Sequence, residues 1–420
     1  MADCIIPEGY KKTKIGVIPN EWEVKRLGDF VSIMSGESPS MYSLHDHGKY
    51  PYVKVEDMNL CEKYQTKSRN YSNEEKGVVK KGSIIFPKRG AAILNNKVRI
   101  ANVDIQMDSN MMAIYPINNN LLGEYLYYTI AFEQLFKIAD TSTIPQINNK
   151  HIIPYKILLP PLTEQQKIAE ILEIWDKAIE KQTQLIDKLE LRKKGLMQQL
   201  LTGKKRLPGY SGEWKKVKLE DVTIFLSTNS FSREQLNTIN GNILNIHYGD
   251  ILVKYPSILD VSKEDIPYIN EPNEYIPKDY VNNGDIIMAD TAEDEMVGRC
   301  CEVINIDNIK VVSGLHTILI RPTTSFAPKY LGYYLNSEKY HRQIISIMQG
   351  IKVYSITKEA LKNTTIDIPC IEEQATIANI LTFCDNEILL AKQKLKKLQQ
   401  QKKGLMQVLL TGEKRVKYEN

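Results

Sequence analysis

An internal repeat constrains this 420-residue chain more than any other feature. Residues 159–206 align without a gap with residues 368–415, at an offset of 209 residues that places Gly195 opposite Gly404. About half of the aligned positions are identical, and both copies contain the string KKGLMQ followed by LLTG. Two unrelated helices can share a pattern of apolar residues, but they do not share such a string. The repeat therefore indicates a duplicated architecture.

Weaker matches flank the repeat and define two larger segments. Trp22 corresponds to Trp214 at an offset of 192, and Tyr125 corresponds to Tyr330 at an offset of 205. The growing offset indicates insertions in the second copy. We refer to residues 20–155 as module one and to residues 213–365 as module two. The sequence predicts four parts in the order module, helix, module, helix, with the boundaries 1–158, 159–206, 207–367 and 368–420.

The two repeated segments have the pattern of long helices. Their apolar residues recur at alternating steps of four and three, which is the seam of a coiled coil. We predict helices of about 38 residues, in which Gln182, Lys193 and Lys402 interrupt the seam with polar groups. Gly195 and Gly404 lie inside the pattern and indicate a kink or an early helix end, or a close approach between helices or to a partner. The predicted seam consists of Ile168, Leu172, Trp175, Ile179, Ile186, Leu189, Leu196, Ile377, Leu381, Ile388, Leu395, Leu398 and Leu405.

The two modules have a different character from the helices. Short runs rich in β-branched and aromatic residues alternate with turn signals, which is typical of strands. One helical stretch is predicted near the end of each module, around 123–137 and 328–347. Each module is therefore predicted to be α+β with a mixed or antiparallel sheet. The clearest predicted strands are Tyr52–Val55, Ser83–Phe86, Ile243–His247 and Thr317–Arg321.

Composition limits the class of protein but does not identify a partner. Hydrophobic residues make up 42% and charged residues 25% of the chain, which excludes a disordered or collagen-like protein. The net charge is only +4, so the distribution of charge matters more than its sum. The six cysteines include no C-x-x-C pair, and no apolar run reaches the roughly 18 residues of a membrane span. We expect a soluble, cytoplasmic protein without a membrane partner.

Motifs for catalysis and for cofactor binding are missing from the sequence. It contains no phosphate loop, no Gly-x-Gly fingerprint for a nucleotide or for S-adenosylmethionine, and no zinc-binding His-Glu-x-x-His. It also lacks the Asn/Asp-Pro-Pro-Tyr that grips a flipped adenine. We therefore predict no catalytic residue, no metal site and no cofactor on this chain. His45-Asp46-His47 could ligate a metal, although a polar loop is the simpler interpretation.

Two charged clusters follow matching predicted strands in the two modules. Lys88 and Arg89, with Lys97 and Arg99 nearby, form either a solvated basic face or a contact to phosphate or guanine. The acidic group at 290–295 is a solvated loop, a divalent-metal nuclease site or a loop that accepts from cytosine N4. Further basic residues concentrate at 192–206 and 392–417, where a solvated helix face explains most of them. Binding to an acidic partner or to DNA phosphate is the alternative for a few.

The repeated segments resemble a known family. A Pro-x-x-x-Glu-Gln motif opens each helix at 160–165 and 369–374, and each helix closes on Lys-Lys-Gly-Leu-Met-Gln-x-Leu-Leu-Thr-Gly. With a variable module before each helix, this arrangement resembles the specificity (S) subunit of type I restriction–modification systems. The resemblance implies two α/β target recognition domains separated by two long helices, which form an antiparallel coiled coil with an internal pseudo-two-fold repeat.

The same resemblance implies a function without chemistry of its own. Each module would read one half of a bipartite, asymmetric target in double-stranded DNA, and the helices would hold the modules at a fixed distance. Two modification (methyltransferase) subunits would bring S-adenosylmethionine, and restriction (translocase/nuclease) subunits would add ATP-driven translocation and cleavage. The alternatives are a stand-alone enzyme fused to helices and a coiled-coil scaffold or transcription regulator.

Reading bases requires side chains with donors and acceptors on loops. The candidate DNA-binding residues in module one are Lys88, Arg89, Asn95, Asn96, Lys97, Ser109, Asn110, Thr143 and Gln146. Those in module two are His247, Tyr248, Asp290, Thr291, Glu293, His316, Gln349, Lys352 and Tyr354.

Overall fold

The chain divides into two compact units in the computed structural model, which describes residues 6–140, 144–270 and 277–416. Unit one comprises the chain up to Thr183 together with the segment from Lys394 onward. Unit two is the continuous stretch Gln184–Gln393. Each unit therefore contains one module and parts of both long helices.

Unit one is built on a five-stranded mixed sheet. Its strands are β1 (Tyr10–Thr13), β2 (Gly16–Pro19), β3 (Glu23–Arg26), β4 (Val31–Ser35), β5 (Tyr50–Val53), β6 (Tyr64–Gln65), β7 (Asn70–Ser72), β8 (Ile84–Pro87), β9 (Arg99–Ala101), β10 (Gln106–Met107), β11 (Met111–Pro116) and β12 (Lys156–Leu159). Its module helices are α1 (Gly123–Glu133) and α2 (Asn149–Ile152). The main sheet has the order β4-β11-β8-β9-β6, and β10-β5-β7 forms a second sheet.

Strand β8 lies at the centre of this unit because both of its faces are buried. Ile84 and Phe86 belong to the larger core, which also contains Tyr125 and Leu126 of α1. Ile85 points to the opposite face and joins a smaller core with Val53. A strand that is buried on both faces holds the residues that directly follow it in a fixed place.

The first long helix, α3 (Leu162–Leu200), begins in unit one and ends in unit two. Its length of 39 residues confirms the predicted helix. Ile168 and Leu172 of the predicted seam are fully buried and belong to the core of the unit-one module. The first turns of the seam therefore stabilise the module as well as the helix.

Unit two repeats the sheet order of unit one. Its strands are β13 (Lys215–Lys218), β14 (Thr223–Leu226), β15 (Leu236–Asn237), β16 (Leu244–Ile246), β17 (Ile258–Asp260), β18 (Tyr268–Ile269), β19 (Ile286–Ala289), β20 (Thr291–Ala292), β21 (Cys300–Ile304), β22 (Val311–Ser313), β23 (Thr317–Pro322), β24 (Tyr354–Ser355) and β25 (Thr365–Ile368). Its helices include α4 (Tyr248–Val253), α5 (Tyr330–Leu335), α6 (Glu338–Ile347) and α7 (Lys358–Lys362). The main sheet, β14-β23-β19-β21-β17, corresponds strand by strand to that of unit one.

The prediction of a mixed sheet in each module is confirmed, since β6 pairs with β9 and β17 pairs with β21 in parallel. The single helix predicted around 328–347 is wrong in one respect, because it consists of α5 and α6. The break lies at Ser337, whose hydroxyl accepts from the Tyr340 N–H and caps α6.

The second long helix, α8 (Ile371–Leu410), has 40 residues. Gly195 and Gly404 lie inside α3 and α8, so an early helix end at these positions is excluded. A Cβ built on either glycine meets nothing within 4 Å among the described residues, so a close approach between helices of this chain is wrong at these glycines. A close approach to a partner stays a prediction. No helix in the described ranges combines the length and the apolar character needed to cross a membrane.

Candidate nucleic-acid interface

Three chain segments meet where β8 ends in unit one. The Lys88 N–H donates to the carbonyl of Asn110 at 2.8 Å, and the Ile147 N–H donates to the carbonyl of Lys88 at 2.8 Å. Arg89 pairs with Gln146 across an antiparallel bridge, and Gln146 pairs in turn with Asp140. These main-chain bonds bring together residues that lie up to about sixty positions apart in the sequence.

Backbone bonds place these residues, so their side chains remain available. The Arg89 side chain is exposed. Among the chain's arginines, all of which lie in the described ranges, Arg26 and Arg89 are the two without a hydrogen bond or ion pair from the side chain. Lys88 is half-buried, and burial lowers its pKa, against the opposing effect of Asp108. Asn110 donates to the Asp108 carboxylate at 2.7 Å.

The end of β19 in unit two has the same backbone arrangement. The Asp290 N–H donates to the carbonyl of His316 at 3.1 Å, and the Ile356 N–H donates to the carbonyl of Asp290 at 2.9 Å. Thr291 pairs with Ser355, and Ser355 exchanges backbone bonds with Gln349. We call this shared arrangement the strand-end frame. Its matched positions are Lys88/Asp290, Arg89/Thr291, Asn110/His316, Asp140/Gln349 and Gln146/Ser355.

Aromatic rings border the strand-end frame of unit two. The Tyr248 ring lies 4.7 Å from the His247 ring and 5.2 Å from the His316 ring, measured between centroids. His316 Nδ1 lies 3.5 Å from Asp290 Oδ1, and the Thr291 hydroxyl donates to the same oxygen at 2.8 Å. Burial and the nearby Arg233 lower the pKa of His247, which favours the neutral ring.

The remaining candidates have more varied environments. Glu293, Gln349 and Lys352 are exposed, and Tyr354 is half-buried in β24. Asn95 and Ser109 are exposed in unit one. The Asn96 side chain donates to the carbonyl of Ala131 at 2.7 Å and Lys97 bonds Asn59, so both have local structural partners. Thr143 lies outside the described residues. Contact with DNA stays a prediction for the whole set.

The structure also bears on the other clusters of the sequence. The described ranges contain no group of three His, Cys, Asp or Glu side chains arranged to hold a metal ion. His45 instead lies within hydrogen-bonding distance of Ser43, with 3.2 Å between Nε2 and the hydroxyl oxygen.

Sequence reasoning missed a buried carboxylate that ties each module to both long helices. In unit one, Glu164 is fully buried near the start of α3. It accepts from the indole N–H of Trp22 at 2.8 Å and from Nε of Arg415 at 2.8 Å. In unit two, Glu373 accepts from Trp214 at 3.2 Å and from Nε of Arg206 at 2.8 Å. We call each of these three-residue sets the carboxylate clamp.

The neighbouring glutamine completes the attachment in both units. Gln165 accepts from the Leu122 N–H at 3.0 Å and donates to the carbonyl of Pro160 at 2.9 Å. Gln374 accepts from the Ala327 N–H at 3.0 Å and donates to the carbonyl of Pro369 at 2.9 Å. The repeated Glu-Gln and the repeated Lys-Arg after each helix were the available signal. The solvated interpretation is therefore wrong for Arg206 and Arg415.

The lysines that interrupt the predicted seam also have partners. In unit one, Lys402 bonds Asp176, and the Tyr128 hydroxyl donates to the same carboxylate at 2.6 Å. In unit two, Lys193 bonds Asp385, and the Tyr333 hydroxyl donates to it at 2.7 Å. Each lysine Nζ also lies 5.4 Å from the centroid of the tyrosine ring. The interruptions are thus compensated by charge pairing and cation–π contact.

Solved structures share this fold. The chain aligns with the type I restriction–modification S subunit from M. genitalium with a TM-score of 0.54 and 14% identity, covering 93% of this chain and 96% of that chain. It also aligns with a chain from a study of complex assembly and conformational transition of the type I R-M system, with a TM-score of 0.61 and 18% identity, covering 94% and 99%. At these identities the likeness concerns the fold alone.

Sequence relatives extend over nearly the whole chain. The type I restriction enzyme MjaVIII specificity subunit of Methanocaldococcus jannaschii is 27% identical over 429 aligned positions, covering 98% of this chain and 97% of the relative. The putative MjaX specificity subunit of the same organism is 26% identical, also covering 98% and 97%. The family described as type I restriction modification DNA specificity domain matches residues 19–191 and 211–400. Since each matched range contains one module and together they span most of the sequence, the chain belongs to this family, as its repeat predicted.

Proposed function

We propose that this chain reads a bipartite, asymmetric target in double-stranded DNA, with one half-site for each module. The chain is a non-catalytic DNA-recognition component of a type I restriction–modification system. The strand-end frame is the observation that carries the proposal. One backbone arrangement occurs once in each unit, and its matched positions hold different exposed or half-buried polar side chains. A constant support with variable donors and acceptors is what sequence reading requires.

We further propose that α3 and α8 form an antiparallel coiled coil with a pseudo-two-fold repeat, which sets the separation of the half-sites. Ion pairs within each unit support this proposal. In unit one, Glu164 bonds Arg415 and Asp176 bonds Lys402. In unit two, Glu190 bonds Lys392 and Asp385 bonds Lys193. Partner numbers fall along α8 as they rise along α3, which is the order of an antiparallel pair.

Two modification subunits are proposed to dock on repeated apolar positions of the long helices. Ile174 and Phe383 occupy equivalent positions at the offset of 209, and they are 65% and 63% exposed. Phe383 lines a groove of about 520 Å³ with Ile380 and Leu196. Contiguous exposed apolar surface marks interaction sites, and the groove at Phe383 is such a surface. The duplicated position fits two copies of one partner.

The chemistry would then lie with the partners, in the cytoplasm where the DNA is. Modification subunits would carry S-adenosylmethionine, and restriction subunits would bring ATP-driven translocation and cleavage. We expect no heat of binding when the isolated chain is titrated with S-adenosylmethionine or with ATP. One-to-one binding of either compound would contradict the assignment.

An exchange of modules tests bipartite reading directly. Residues 20–155 would be replaced by the corresponding segment of a relative, and the hybrid would be expressed with its modification subunit. Mapping of N6-methyladenine should show a change in one half of the methylated motif and no change in the other. A change in both halves would refute independent reading by the modules.

Docking is tested by charge at the repeated apolar positions. Ile174→Glu and Phe383→Glu should each reduce the number of modification subunits that copurify with the chain, and the double variant should abolish copurification. Leu191→Glu is the matched control, because Leu191 is 71% exposed on α3 but Gln400 occupies the equivalent position of α8. Equal loss in the control would remove this surface from the interface.

A further inference from the structure

The residues that directly follow the central strands β8 and β19, Lys88 and Asp290, have opposite hydrogen-bonding character. In unit one, Lys88 and Arg89 supply only donors, and the Arg89 guanidinium has no partner within the described residues. In unit two, Thr291 occupies the position matched to Arg89. Asp290 occupies the position matched to Lys88, and its carboxylate supplies only acceptors. Its Oδ1 accepts from Thr291 and lies near His316, while Oδ2 has no hydrogen-bond partner in the described chain. Directly after the central strand, unit one therefore presents the unused donors of Arg89, and unit two presents the unused acceptor Oδ2 of Asp290.

The Asp290 carboxylate is not suited to a phosphate contact. A carboxylate near the DNA backbone is repelled by phosphate, so its favourable contact with a duplex is a base amino group. In the major groove such donors are cytosine N4 and adenine N6. A basic frame has the converse preference, because the planar guanidinium fits the paired acceptors O6 and N7 of guanine.

We propose that the two frames read opposite chemistry at corresponding places in the two half-sites. The frame with Arg89 reads the acceptor edge of a guanine in the half-site of module one. The frame with Asp290 reads an exocyclic amino group, on cytosine or adenine, in the half-site of module two. This inference rests on the proposed function and adds the class of base contacted by each module.

The aromatic border supports a specific role for Asp290. His316 and Thr291 contact Oδ1, so the carboxylate is held in one orientation while Oδ2 remains free. The neighbouring Tyr248 packs against His316 and restricts that ring. A fixed single acceptor selects a donor at one position more sharply than a mobile side chain does, because less rotational freedom is lost on binding.

Base analogues test the inference with the unaltered protein. The methylated motif is first mapped for the complex of this chain with its modification subunits. Duplexes are then made with 7-deazaguanine at single guanines of the first half-site. In the second half-site, analogues without the amino group replace single cytosines or adenines. One analogue in each half-site should weaken binding about 5- to 150-fold, and the base at the sensitive position tells cytosine from adenine.

Variants assign the contacts to residues. In the complex, Arg89→Ala should relax one guanine position of the first half-site only, and Asp290→Asn should relax the amino-group position of the second half-site only. Asp290→Glu, which keeps a carboxylate, should retain more discrimination than Asp290→Asn. Exposed residues of the same units provide the controls, and Lys137→Ala and Glu359→Gln should keep the wild-type motif.

The outcomes separate the inference from the proposed function. If the wild-type complex yields no bipartite motif, the proposed function fails. If a bipartite motif exists but lacks guanine in the first half-site, or if the analogues and both variants leave its specificity unchanged, the inference alone is overturned.

Discussion

The carboxylate clamp and the strand-end frame both occur once in each unit, but the two copies agree in different features. The clamp preserves side chains, since a tryptophan, a glutamate and an arginine recur in both units. The frame preserves backbone hydrogen bonds and changes almost every side chain. A buried carboxylate needs particular donors, whereas a main-chain bond accepts any residue that leaves the backbone in place. The side chains of the two frames can therefore diverge after duplication while the fold of each unit is kept.

Removal of the buried carboxylate of the clamp should lower the unfolding free energy more than any other change proposed here. The loss should be equal in the two units. Glu164→Ala leaves Nε of Arg415 and the Trp22 N–H without their acceptor, while Arg415 keeps its bond to Glu21. Glu373→Ala does the same to Nε of Arg206 and to Trp214, while Arg206 keeps its bond to the carbonyl of Gly212. We expect a loss of about 3 kcal/mol of unfolding free energy in each variant. Denaturant unfolding is the measurement.

Glu170→Ala is the matched control for this pair, because Glu170 is 44% exposed on the same helix as Glu164. Its effect should stay within about 0.5 kcal/mol. A large difference between Glu164→Ala and Glu373→Ala would break the equivalence of the two clamps.

A buried carboxylate of unit two should make the units differ in their response to pH. Glu302 is buried in β21 and accepts from the N–H groups of Lys329 and Gly332, while Ile100 occupies the matching position in β9. Burial raises the pKa of Glu302 from 4.5 to about 7. Because the folded-state pKa is raised, the stabilising contribution is complete below the unfolded value and is lost as pH rises through about 7.

The measurement is the difference in unfolding free energy between wild type and Glu302→Gln. From about pH 5 to about pH 8, wild type should lose roughly 2 kcal/mol relative to the variant. The exposed Glu295→Gln should show no such relative change. A difference that does not depend on pH would exclude titration of Glu302 in this range.

The tyrosine hydroxyls that donate to helix aspartates offer a finer comparison. Tyr128→Phe and Tyr333→Phe each delete a hydrogen bond to a charged acceptor but keep the ring beneath the lysine. Each also deletes a second contact of the hydroxyl, to Lys63 in unit one and to Thr382 in unit two. We expect each to lose about 1.5 kcal/mol by thermal or denaturant unfolding. Unequal losses would show that the neighbourhoods of Asp176 and Asp385 differ despite their matching contacts.

The smallest expected effect is a gain in stability from replacement of the two helix glycines. Gly195→Ala and Gly404→Ala place a methyl group where no atom lies within 4 Å, inside a continuous helix. Each should stabilise the chain by about 0.5–1 kcal/mol, because alanine loses less conformational freedom than glycine in a helix. Destabilisation at either site would indicate that the glycine is needed for something other than the described packing.

The sequence predicts the long helices well and the clamps poorly, for a physical reason. Helix periodicity is local, so α3 and α8 follow from the spacing of residues such as Leu172 and Leu381. The arginine partners of Glu164 and Glu373 lie 251 and 167 positions away along the chain. No local pattern joins them, although the repeated Glu-Gln and Lys-Arg marked all four residues.

The strand-end frame was found in part. The candidates Lys88 and Arg89 follow the predicted strand Ser83–Phe86, and Asp290 follows a strand-like run. Turns after buried strands concentrate polar side chains, which is why the sequence marked them. The sequence could not predict that Asn110 and Gln146 meet Lys88 and Arg89, since these bonds depend on strand order and register. The matching of Lys88 with Asp290 likewise required the backbone hydrogen bonds of both units.

The division of the chain into units has a consequence for its synthesis. Unit two is continuous from Gln184 to Gln393, so all of its residues are present before translation reaches Lys394. Unit one must wait for the segment from Lys394 onward, which supplies Leu409 and Leu410 to its core and Arg415 to Glu164. The module made first on the ribosome is therefore the one completed last. Until then Glu164 lacks its arginine, and the core without Leu409 and Leu410 exposes apolar surface that chaperones can bind.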